Sequence, residues 1–150
     1  MQAATHDLSD STILLVDDNE QNLELLLAYL EELPCKILTA KDGFEALAIV
    51  QAQRPNIVLL DVMMPRMSGF QVCSKLKRDP ASRETPVVMV TALNEIGDVE
   101  RAVDAGADDF LTKPVNKLEL LTRVKSLVRL SLLQRQLHKT LAELKAMGGG

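Results

Sequence analysis

Several things are scarce in this chain of 150 residues, and each scarcity excludes a class of protein. Two cysteines, Cys35 and Cys73, are too few for a disulfide scaffold and are expected to sit as small hydrophobes in a reducing, cytoplasmic setting. The two histidines, His6 and His138, lie in the two tails, so neither a His/Cys metal cluster nor a Ser–His–Asp triad can assemble around them. Six prolines and seven glycines rule out collagen-like or low-complexity sequence. No apolar run approaches the 18 or so residues of a membrane span. The opening MQAATHDLSD has no basic start and no apolar stretch, so no signal peptide is expected. Neither GxGxxG nor GxxxxGK[ST] occurs, which removes the common nucleotide cradles, and no Ser/Thr-rich loop of a flavin site follows the first apolar run.

What is present is ordinary globular material, 47% hydrophobic and 25% charged, enough for one domain. Charge is uneven. Residues 1–115 hold 10 Lys/Arg and 19 Asp/Glu, a net of -9, whereas residues 116–150 hold 7 and 2, a net of +5. The acidic body argues against a nucleic-acid binder. The basic tail reads as a solvated helix face, or as a contact for acidic surfaces or lipid.

Short apolar runs at Ile13–Val16, Cys35–Thr39, Ile57–Leu60, Val87–Val90 and Asp109–Thr112 read as strands. Between them, helical spacing appears in Leu23, Leu26, Leu27 and Leu30, capped by Asn19, and in Phe44, Leu47, Ala48 and Val50 after Asp42–Gly43. It recurs in Phe70, Val72, Cys73 and Leu76, and in Ile96, Val99, Val103 and Ala107 with Gly106 near the end. A long helix starts near Asn116. Five strands alternating with five helices predict an α/β fold with a doubly wound parallel sheet covered on both faces.

The chemically strong residues all follow strand ends: Asp17 and Asp18, Asp61, Thr91 and Lys113. Open parallel sheets bind ligands at that edge. Three converging carboxylates repel one another, and a hard divalent cation relieves the repulsion, with oxygen-only ligands selecting Mg²⁺, Mn²⁺ or Ca²⁺ over zinc and Mg²⁺ best suited to bridging a carboxylate and a phosphoryl oxygen. A lysine and a hydroxyl beside one carboxylate suit phosphoryl transfer onto that carboxylate. The bland alternative, in which the aspartates are helix caps and turn formers, explains Asp18–Asn19 but not the full set.

These residues resemble the receiver domain of two-component response regulators over residues 12 to about 131. The resemblance rests on ILLVDDN at 13–19, LLDVMMPRMSGF at 59–70, VVMVTA at 87–92 and GADDFLTKP at 106–114. It implies a flavodoxin-like (βα)₅ sheet of order 2-1-3-4-5, with Mg²⁺ as cofactor and a histidine kinase or phosphotransfer protein as partner. It implies Asp61 as phosphoacceptor, Asp18 as direct metal ligand, Asp17 acting mainly through water, and the Met63 carbonyl as a further ligand. Thr91 and Lys113 correspond to the hydroxyl and lysine that meet the phosphoryl group, and Lys113–Pro114 to a cis peptide. Phe110 stands at an aromatic switch position but lacks a tyrosine hydroxyl, and can equally be a core aromatic. Met63 and Leu93 are apolar where many relatives are polar, which implies slow self-dephosphorylation. The only catalysis expected is the chain's own phosphoryl transfer and hydrolysis.

The last helix outruns this resemblance. Leu130, Leu133, Leu137, Leu144 and Met147, with Thr140 in register, follow the 3-4 spacing of a coiled coil, and Leu141 widens the stripe. The expected organisation is a flexible segment 1–11, a receiver 12–131, a helical extension 132–147 and a glycine tail 148–150. The extension reads as a linker to an output domain, as a homodimer element of a stand-alone receiver, or as a docking site for an effector protein; neither nucleic acid nor membrane is expected to bind directly. A degenerate receiver that only mediates protein contacts is the competing functional class.

Overall fold

The computed structural model describes residues 8–92 and 96–148, with only the backbone of Ile96, so the apolar Leu93 lies outside the described residues. The chain alternates strictly: β1 (Thr12–Val16), α1 (Glu20–Leu30), β2 (Lys36–Ala40), α2 (Gly43–Gln53), β3 (Ile57–Asp61), α3 (Gly69–Arg78), β4 (Val87–Thr91), α4 (Ile96–Asp104), β5 (Asp109–Thr112) and α5 (Lys117–Met147). All pairings are parallel and the order is β2-β1-β3-β4-β5, as expected. No described helix is long and apolar enough to cross a membrane.

The three inner strands are apolar almost throughout because both faces are covered. Ile13, Leu15, Ile57, Leu59, Val88 and Val90 point to one side, where Leu23, Leu26 and Leu30 of α1 and Leu120, Val124 and Val128 of α5 meet them. Leu14, Val16, Val58, Leu60, Val87 and Met89 point to the other, against α2, α3 and α4. Asn19 caps α1 by accepting the Asn22 N–H (3.1 Å). Asp42 and Asn116 cap α2 and α5 in the same way, and Ser68 opens α3 with a full capping box.

One strand boundary needs correction, and the apolar spacing of two helices does not mark which residues are buried. The second strand is Lys36–Ala40 rather than Cys35–Thr39, because Ser11 O accepts the Lys36 N–H (3.0 Å) and sets the register Thr12↔Lys36. Phe44 is 54% exposed: α2 instead buries Gly43, Ala46 and Val50, since a Cβ at Gly43 would lie 2.7 Å from Val72 and 2.8 Å from Met67. Val103 is 66% exposed, and Ala102 is the α4 residue that reaches the core. Small residues draw these two helices close to the sheet, and the larger neighbours are turned outward.

At the N-terminal edge of the sheet a polar joint replaces apolar packing. Asn56, 1% exposed, accepts the Thr12 N–H (2.9 Å) and donates to Ser131 Oγ of α5 (3.2 Å). Ser131 is the last buried residue of α5, yet the helix continues unbroken to Met147. Asn56→Ala strands a buried N–H and a buried hydroxyl, so it should cost about 1–3 kcal/mol, read as a lower urea midpoint at unchanged m-value.

Candidate functional site

The C-terminal ends of β1, β3, β4 and β5 meet at one edge of the sheet. Register places Val16 opposite Leu60, Asp61 opposite Val90, and Thr91 opposite Thr112. Asp17, Asp61 and Thr91 are therefore brought together, and each is buried (2%, 5% and 7% exposed). Ligand oxygens of Asp17, Asp18 and Asp61 lie within 4.8 Å of one another, a spacing at which they can hold a divalent cation.

The two members of the acidic pair have different surroundings. Asp17 Oδ1 accepts the Asn19 N–H (2.9 Å) and Oδ2 faces Lys113 Nζ (3.4 Å), so both oxygens are engaged. Asp18 is exposed at the mouth of the site. Lys113 reaches Asp61 Oδ1 at 3.1 Å and so stands between two carboxylates. Its backbone N–H donates to Thr91 O (2.8 Å), which ties the lysine's loop to the end of β4. The Lys113–Pro114 peptide is cis.

Burial is the main reason that Asp61 holds its proton above the ordinary carboxylate range; the charge of Asp17 adds to it, Lys113 opposes it and Asp18 contributes least. One ammonium thus fails to offset three carboxylates. All-oxygen donors, close spacing and residual negative charge match a hard cation, so the residues present fit the metal that the sequence implies.

The Met63 side chain is 66% exposed, away from the core. Phe110 is 39% exposed at the rim of β5, with Leu111 the β5 residue that packs inward, so its ring is not a core aromatic in this conformation. Two supports of the site went unread in the sequence. One is the Asn19 N–H, which orients Asp17 while the Asn19 side chain caps α1. The other is Gly69, whose N–H donates to Val62 O (2.9 Å) and where a Cβ would collide with the Asp61 carbonyl and lie 2.9 Å from Val62 Cα. A glycine opening a helix eight residues after the central aspartate was the available signal. Beside the site, a cavity of about 370 Å³ is lined by Leu25, Leu26, Val90, Lys113, Pro114 and Val115.

A family model described as the response regulator receiver domain matches residues 13–125. The chain is 48% identical over 136 residues to Response regulator PleD of Caulobacter vibrioides, covering 91% of this chain and 30% of that protein. It is 36% identical to Protein PilG of Pseudomonas aeruginosa over 76% of this chain and 84% of that one. Among solved structures, the signal receiver domain of a signal transduction histidine kinase from Syntrophus aciditrophicus superposes with TM-score 0.74 at 37% identity, covering 79% of this chain and 89% of that one. A CheY-like response regulator receiver domain protein from Methanospirillum hungatei gives 0.75 at 27% identity, over 83% and 98%.

The excess of negative charge makes a direct prediction. In EDTA, Asp18→Asn should raise the melting temperature by about 2–5 °C, because an exposed member of a repelling cluster is removed. Millimolar Mg²⁺ should stabilise the wild type and have little effect on the variant; equal cation responses in the two proteins would exclude Asp18 from the metal site.

Proposed function

The chain belongs to the response regulator receiver domain family, and on that premise we propose that it is a phosphorylation switch with Asp61 as the phosphoacceptor. The observation that carries this reading is the grouping of Asp17, Asp18 and Asp61 around one edge with Lys113 3.1 Å from Asp61. An Asp61 oxygen attacks phosphorus of a phosphohistidine on a histidine kinase or phosphotransfer protein. The P–N bond breaks, and its electron pair leaves on the donor imidazole. A carboxylate is a weak nucleophile, so the rate comes from position and charge neutralisation. Bound Mg²⁺, or Mn²⁺ in its place, would neutralise phosphoryl oxygens; Asp18, Asp61 and the Met63 carbonyl would hold it. Asp17, already engaged at both oxygens, suits an indirect role through water. Lys113 and the Thr91 hydroxyl would meet the phosphoryl oxygens. The Met63 side chain carries no group able to orient an attacking water, which favours a long-lived acyl phosphate.

The same reading extends to the output. The added phosphoryl charge draws Lys113 and Thr91, and the Phe110 ring, 39% exposed, turns inward in response, remodelling α4, β5 and α5. The chain spans 30% of the length of the PleD relatives, and an output domain or effector following α5 completes the reading. A cytoplasmic location goes with it. On the extension, Leu130, Leu133, Leu137, Leu141 and Leu144 are 44–56% exposed and Met147 81%, a stripe that fits a second copy of the same helix. The receiver proper is taken as residues 12–131, with 132–147 as the extension.

Treatment with acetyl phosphate and Mg²⁺ should add one phosphoryl group by intact mass, lost in base; equal labelling of Asp61→Asn would refute Asp61 as acceptor. Sedimentation of the full chain should show a dimer that tightens on phosphorylation, and a chain ending at Ser131 should lose it. Monomers throughout at high micromolar concentration would remove the dimer from this reading.

A further inference from the structure

The end of the sheet opposite Asp61 carries a second concentration of charge, and it is basic. Between the receiver base and the α5 extension lies a cavity of about 300 Å³ lined by Arg54, Glu84, Gln134, Arg135 and His138 over an apolar floor that includes Val50 and Ala81. That volume is far more than one water occupies and matches the small end of ligand pockets. A neighbouring cavity of about 480 Å³ shares Val50, Arg54 and Ala81 and adds Lys75 and Asp79.

The two arginines are held differently. Arg135 Nη2 donates to Arg54 O (2.7 Å) and Pro55 O (3.1 Å), which fixes its guanidinium against the receiver. Arg54 is the C-cap of α2 in the left-handed region (φ 47°), and its guanidinium makes no ion pair with any described residue. Burial, and after it the charge of Arg54, hold Arg135 below the ordinary arginine range. The one carboxylate lining the first cavity, Glu84, faces His138 Nε2 with both oxygens (2.8 and 3.2 Å). Two cationic groups therefore share a concave site whose acid is already engaged.

We propose that this cleft is a binding site for a phosphate-bearing small molecule, gripped by Arg54 and Arg135, which fastens the extension to the receiver. Guanidinium groups match phosphate oxygens in charge and in paired donor geometry. Arg135, Gln134 and His138 belong to α5 beyond its last buried residue, whereas Arg54 and Glu84 belong to the receiver. An anion bridging the arginines thus links the two parts and cancels their mutual repulsion. The extension receives this input independently of the Asp61 chemistry, and the proposal does not rest on phosphoacceptor function.

The test uses the full chain carrying Asp61→Asn, in EDTA, so that the carboxylate site is silent. Amide spectra are followed while pyrophosphate, ADP or citrate is added at constant ionic strength. Saturable shifts at Arg54, Gln134 and Arg135 are expected with pyrophosphate or ADP, together with slower hydrogen exchange over residues 132–147. Arg54→Gln, which removes no side-chain hydrogen bond or ion pair among the described residues, should weaken binding about tenfold; Arg54→Lys should recover part of it. Shifts confined to the Lys113 end, an unchanged affinity in Arg54→Gln, or unaltered exchange in the extension would overturn the site. Citrate binding as tightly as pyrophosphate would overturn its assignment to phosphate.

Discussion

The site depends on one register, that of β1 against β3. Ile13, Leu14, Leu15 and Val16 lie beside Ile57, Val58, Leu59 and Leu60, and the next residue on each strand is an aspartate. A slip of one residue would exchange the two faces of β3 and set Val58 and Leu59 against the wrong helices. The register is held by apolar burial on both sides, with all eight residues at most 2% exposed. The Asn56 side chain pins its lower end by accepting the Thr12 N–H. Apolar packing thereby holds carboxylates together that would separate on their own.

That enforced proximity concentrates negative charge at one edge of the sheet. Lys113 lies between Asp17 and Asp61 and leaves an unbalanced negative edge. Bonds already present tie this edge to neighbouring elements. The Lys113 N–H is bonded to Thr91 O, and the same short loop leads through Pro114 and Val115 to the Asn116 cap of α5. Gly69 keeps the loop after Asp61 tight against the strand end.

α5 connects the two ends of the domain. At 31 residues it is ~46 Å long, more than its apolar contact with the sheet requires. Its first half is apolar where it meets α1 and the sheet; Ser131, Arg135 and His138 then follow on one side and touch Asn56, the Arg54–Pro55 carbonyls and Glu84. The leucine stripe of the extension is left on the surface. The helix thus starts beside the Asp61 edge and passes the basic base before its leucine stripe runs out.

Sequence patterning by itself determined the five strands, the helices between them, and the five polar residues at the strand ends. These are local signals: a buried parallel strand must be apolar throughout, and its chemistry must follow where the burial stops. The same patterning left open that Phe44 and Val103 face outward, because a helical stripe does not tell which of its residues are small enough to approach a sheet. Tertiary structure alone decided that Asp17 is enclosed while Asp18 is open, that Phe110 lies outward, and that Asn56, Ser131, Arg54 and Arg135 form a second polar centre. The physical reason is distance along the chain: the Asn56–Ser131 bond closes a span of 75 residues and the Arg135–Arg54 bond one of 81, and no local pattern records which distant group satisfies a buried donor.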